Sequence, residues 1–209
     1  LNKRLQYDYS PETIAALHER ASLWLESQGL IEEAIYHALK AEDIVGAAQI
    51  IERHRMAEMN ADRWYHLETW LNGIPQPIRQ QRLPLLLCQL WIAYNGYRLT
   101  EIPGLIEQAE RLRRDSPFGP NLLAELNILN GIIDFWQGQC DRSLEYSEIG
   151  LEQLPAEAYV IRAEGELHAC LALYTLGQEQ AATQRLNSEL RQLDANQVAA
   201  RLRLVGSLM

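Results

Sequence analysis

A run of 25 residues, Gly131 to Pro155, restricts this chain more than any other stretch. It reads GIIDFWQ-G-QCDRSLEYSEI-G-LEQL-P, two apolar-periodic segments joined by a tight reversal at Gly138. After that glycine, small residues come at Ser143, Ser147 and Gly150, and Pro155 closes the unit. Small side chains at helical offsets let two helix axes approach closely, where a bulky residue would hold them apart. The stretch therefore predicts two helices folded back on one another.

The offsets recur. Counted from Gly177 they fall on Ala182, Leu186 and Glu189, with Cys170 seven positions before, as Gly131 stands before Gly138. Counted from Gly29 they fall on Ala34, Ala38 and Ala41, with Ser22 seven before. A helix-turn-helix unit of this kind is close to the 34-residue tetratricopeptide pattern. Turn glycines at 96, 138 and 177 imply units longer than that pattern. The unit around Gly96 fits worst: its small residue arrives at Ala109, and Pro103-Gly104 is expected to interrupt its second helix. The expected fold class is all-α, a tetratricopeptide-like right-handed superhelix of antiparallel helix pairs.

Along the chain, Ser10-Pro11-Glu12 is a strong helix start, and Gly29 a helix end. A second helix runs to Lys40, Asp43 caps a third, and a fourth is expected from Ala57 to Leu71, stopped by Asn72-Gly73. The three prolines of IPQPIRQQRLP mark an internal boundary, dividing a helical linker module at 1–75 from a repeat domain at 76–209. Helices follow over 85–97, 102–114, 121–137, 141–154, 156–176, 179–193 and 196–208, with no period-two window for a strand.

The balance of 19 Lys+Arg against 28 Asp+Glu, a net charge of −9, argues against nucleic-acid contact by this segment. The local Arg111/Arg113/Arg114 group reads as a solvated helix end. No apolar run approaches the ~20 residues that span a bilayer, and no signal peptide is seen. Cys88, Cys140 and Cys170 lack CxxC pairing, which suits reduced thiols and a cytoplasmic setting. The start at Leu1 and the uncovered apolar stripe of Leu202, Val205 and Leu208 suggest a piece of a longer chain able to self-associate.

Signatures for nucleotide, acyl or zinc chemistry are absent, so no enzyme and no cofactor is expected. His66-Leu67-Glu68 matches only half of a zinc-deaminase motif. In stacked pairs the first helices line the inner surface. Equivalent positions there are Glu125 with Glu164 and Phe135 with Tyr174, a file of acids and aromatics suited to a polar ligand with apolar faces, or to a neighbouring helix. These four are the candidate ligand or partner residues.

Residues 12–54, then WYHLETWLNGIP and LPLLLCQLWIAYNGY, resemble the helical region of MalT-like, LuxR-type, ATP-dependent transcriptional activators. The matching elements are LHxRAxxWLxxxGxxxEAIxHALxAxD, a WLxxIP before a proline turn, and the first repeat pair. The resemblance implies an upstream NTPase and winged helix and a downstream DNA reader, with LNKRLQ closing the winged-helix region. It implies inducer sensing on the helical scaffold, oligosaccharide in the MalT-like case, and control of oligomerisation. DNA would be met only through the downstream domain. The alternative is a general interaction module taking a peptide or partner helix.

Overall fold

The computed structural model describes residues 9–206, and every one of its regular elements there is a helix. The order is α1 (Pro11–Ser27), α2 (Ile31–Lys40), α3 (Ile44–Asn60), α4 (Trp64–Asn72), α5 (Gln76–Arg79), α6 (Leu83–Asn95), α7 (Ile102–Asp115), α8 (Pro120–Trp136), α9 (Cys140–Gln153), α10 (Tyr159–Thr175), α11 (Glu179–Gln192) and α12 (Val198–Gly206). The all-α expectation holds for the described residues. LNKRLQ and Leu208 lie outside them.

Helix ends follow local chemistry. Ser10 Oγ accepts from Thr13 N–H and Asp43 Oδ1 from Gly46 N–H, each satisfying a donor that the first turn leaves without an intrahelical partner. Six helices close on the same double bond: the residue two past the cap reaches back five positions, and the one before it three. At Gly138 these are Gln139 N–H to Asp134 O and Gly138 N–H to Phe135 O, and the pattern recurs at Gly29, Glu42, Asp62, Tyr97 and Gly177. All six adopt positive φ, between 55° and 79°.

Three differences from the sequence reading appear here. Gly96 is not the left-handed residue of its unit (φ −86°); the exposed Tyr97 is, at φ 55°. The helix expected from Ala57 begins at Trp64, because α3 runs on to Asn60 and Asp62 turns the chain. Pro103-Gly104 starts α7 rather than breaking it, since proline is tolerated in a first turn whose N–H groups have no helical acceptor. A side chain in the left-handed region costs about 1–2 kcal/mol, so Tyr97→Gly is expected to raise stability by about 1 kcal/mol in chemical denaturation. A loss instead would mean that the Tyr97 ring is anchored.

Apart from α4 and the short α5, consecutive helices pack in chain order, and the first helices of successive pairs, α6, α8, α10 and α12, also contact one another in sequence. Helix α3 lies against both α6 and α10. One apolar core therefore runs from Ala34 and Ile51 through Trp70, Leu87 and Trp91 to Ile128 and Ile161; a second, with Val160, Ala163, Leu186, Ala200 and Leu204, seats α12. A Cβ on Gly131 would sit 2.8 Å from Ser147 Oγ and 3.1 Å from the Ser143 carbonyl, which accounts for the small residues there. Ile128 Cδ1 occupies a notch between α9 and α10, 2.6 Å from where a Cβ would stand on either Gly150 or Gly165. A 39-residue period is also visible in polar contacts. Arg162 Nη1 donates to the Leu151 and Leu154 carbonyls, and Arg201 Nη1 to those of Leu190 and Leu193, tying the end of each second helix to the next first helix.

Candidate functional site

The inner file of the first helices is where the sequence places its candidate residues, and the chain itself covers much of that file. Glu125 on α8 is 1% exposed. Arg55 from α3 grips it with two bonds, 2.7 and 2.5 Å, and Trp91 Nε1–H of α6 donates to it at 2.9 Å. Burial opposes the Arg55 charge, but the adjacent Glu125 carboxylate more than offsets it and raises the guanidinium pKa. Glu164 on α10, 3% exposed, repeats the arrangement: Arg203 Nε of α12 donates at 2.7 Å and Tyr94 Oη of α6 at 2.7 Å. Burial and the neighbouring Glu164 push the Tyr94 phenol up, so it stays a donor.

The two carboxylates are thus equivalent in another sense than the one anticipated. Each receives one arginine and one aromatic donor, and both donors come from one face of α6, three residues apart. The position after Glu125 and Glu164 in the same 39-residue register is Arg203 itself. Arg203 also donates through Nη2 to Asp62 Oδ1 at 2.8 Å and Asn95 Oδ1 at 3.0 Å, and its guanidinium lies 5.8 Å over the Trp64 ring. Asn60 adds a second link from α3, donating to the Glu157 carbonyl and accepting from Val160 N–H.

Phe135 and Tyr174 remain partly open. Phe135 is half-buried, edge-on to His168 at 5.8 Å, while Tyr174 is 60% exposed at the end of α10. Beside Phe135 in the chain the structure adds Trp136, 45% exposed and stacked on Tyr94 at 5.5 Å. The open part of the site is this aromatic face at the C-terminal ends of α8 and α10, with the Glu164 node beneath it. Nothing in the linear sequence separates Trp136 from core tryptophans, since only its position at the helix end exposes it. Trp70 and Trp91 are core, while Trp64 is partly buried.

His168 is buried, and its Nδ1–H donates to the Glu164 carbonyl at 2.9 Å. Burial lowers its pKa, and the same cause, with His37 and Lys40 adding repulsion, lowers that of His18, whose ring touches His37 at 2.8 Å. The unfolded chain binds protons at these histidines first. Stability is therefore expected to fall as pH drops below about 6.5, by up to ~1.4 kcal/mol per pH unit for each group. His168→Gln should flatten that slope in denaturation curves taken between neutral and mildly acid pH; an unchanged slope would remove His168 from the account. Burial pushes the Cys88 thiol up to about 12 and Cys170 to about 11, so both are expected to resist thiol reagents in the native state. Among the described residues no group of His, Cys, Asp and Glu is arranged to hold a metal ion, and no helix is long and apolar enough to cross a membrane.

What these observations define is a helical scaffold whose inner polar file is locked by its own arginines and whose helix ends carry exposed aromatics. In an alignment of 177 positions that covers 81% of its length, the chain is 30% identical to the HTH-type transcriptional regulator MalT of Yersinia pestis (strain Pestoides F), and at the same coverage 29% identical to that of Serratia proteamaculans (strain 568). No family profile and no solved structure matches it. The chain is thus similar to MalT transcriptional regulators, and it spans about a fifth of the length of the curated relatives it matches.

Proposed function

We propose that this chain is the regulatory scaffold of a MalT-like transcriptional regulator, a cytoplasmic region that takes up an inducer or a protein partner and controls self-association. In this reading a linker module at 1–75 leads into a repeat domain at 76–209, stacked as a tetratricopeptide-like right-handed superhelix, while the parts that handle ATP and DNA lie in other domains. The two modules share the packed core described above.

One observation supports the reading most. The exposed aromatics are wired to the buried nodes: Trp136 stacks on Tyr94, Tyr94 donates to Glu164, and Glu164 holds Arg203 of α12. A ligand resting on Phe135, Trp136 and Tyr174 would favour one setting of Tyr94, and so one seating of α12. That differential affinity is what a population shift requires. Glu125 and Glu164 then serve as the coupling nodes rather than as groups that touch the ligand.

A thermal-shift screen of the chain against oligosaccharides and small metabolites tests this. One compound raising the midpoint by several degrees, with the rise lost in Trp136→Ala, is the expected result. The exposed apolar side chains of α1, Leu17, Leu23 and Trp24, favour the second reading, a module that takes a partner helix. Silence across the screen with a purified partner bound at α1 would select that one.

A further inference from the structure

Helices α4, α5, α6 and α7 enclose a cleft of about 170 Å³ beside the proline-rich segment, away from the aromatic face. Its lining holds two arginines and two glutamates, and they are paired unevenly. Arg98 is already committed, 2.9 Å from Glu68 and 3.8 Å from Glu101. Arg79, on the short α5, makes no ion pair and no side-chain hydrogen bond among the described residues, and its Nε is buried. Gln89 Oε1 of α6, another residue of the lining, is likewise buried without a donor. Leu71 and Ile92 supply apolar wall.

Buried polar atoms are almost always satisfied, and leaving one without a partner costs about 1–3 kcal/mol. Two such atoms in one cleft, a cationic donor and a neutral acceptor, call for a single visitor that brings an anion and a donor together. At ~30 Å³ per water the space holds about six waters, which limits the occupant to a compact molecule. A guanidinium with a free edge favours a planar carboxylate, which it can meet with two parallel bonds.

We infer that this cleft binds a small carboxylate carrying a hydroxyl or amino group, with the acid on Arg79 and the O–H or N–H donated to Gln89. The site is independent of the aromatic face, so its failure would leave the proposed sensing role standing, and the reverse.

The test follows the arginine Nε–Hε resonances of the chain by NMR during titration with glycerate, serine, acetate and glycerol. The Arg79 resonance is assigned by its loss in Arg79→Met. It should move with glycerate or serine with a dissociation constant of about 1 mM or tighter. Acetate, lacking the donor, should bind several-fold more weakly, and glycerol, lacking the acid, not at all. Arg79→Met should weaken binding at least about tenfold, followed through the Gln89 side-chain amide, and Gln89→Leu by less. Because Arg79 has no internal partner to lose, Arg79→Met should leave the ligand-free melting midpoint unchanged, which separates a binding role from a structural one. No shift with glycerate or serine at roughly tenfold above that constant, binding that survives in Arg79→Met, or an equal response to acetate or glycerol would each overturn the assignment.

Discussion

Arg55→Met is expected to destabilise the chain by about 3–5 kcal/mol, the cost of leaving Glu125 charged and without its cation in the core. For a chain of this size that is a fall of roughly 10 °C in melting midpoint. The effect follows from the near-complete burial of both side chains, 7% and 1% exposed. A surface pair such as Arg111 with Glu107 should contribute under about 1 kcal/mol. The double replacement Arg55→Met with Glu125→Leu removes both charges and should recover at least half of the loss, with Trp91 Nε1 the one donor left over. Calorimetry of the two singles and the double decides the matter. If the double is as unstable as the singles summed, the two residues act separately, and the pairing is not what holds α3 on α8.

The second large effect concerns close approach. Gly150→Val places a branched side chain where even a Cβ would lie 2.8 Å from the Ala124 carbonyl and 2.6 Å from Ile128 Cδ1. The methyl group of Ile128 can swing aside; the backbone carbonyl of α8 cannot. Forcing α8 and α9 apart should cost about 3 kcal/mol. Gly104→Ala in α7 meets nothing within 4 Å and should instead stabilise by up to about 1 kcal/mol through helix propensity. Ser143→Ala and Ser147→Ala are expected to be neutral or slightly stabilising, because both hydroxyls are buried without a partner. If Gly150→Val were tolerated like Gly104→Ala, the small residues of the repeat would not be there to admit a neighbouring helix.

These contrasts also show what the linear chain discloses. The turns at Gly29, Gly138 and Gly177 were legible because glycine is the ordinary occupant of a left-handed helix end. Asp62 and Tyr97 fill the same conformation with side chains that carry no such signal, and the boundaries there were misread. The register of Glu125 with Glu164 was legible as a 39-residue echo. Their roles were not, since Arg55 and Tyr94 stand 70 residues away in sequence and nothing local announces the pairing. A buried acid and a ligand-facing acid look alike until the opposite charge is located. The cleft at Arg79 was invisible for a related reason: four helices on either side of and within a proline-rich stretch assemble it, and no motif spans them.

The Arg203 that closes on Glu164 stands, by repeat counting, where the two preceding units carry glutamate. The units are consequently not interchangeable bricks. Duplicating the 39 residues from Cys140 to Gln178 within the chain would set one glutamate against another where an opposite charge now sits, and excising them would bring Arg203 next to Glu125, already claimed by Arg55. Such a scaffold resists lengthening or shortening by whole copies, so variation of its exposed aromatic face would come from point substitutions at the helix ends and not from recombination of modules.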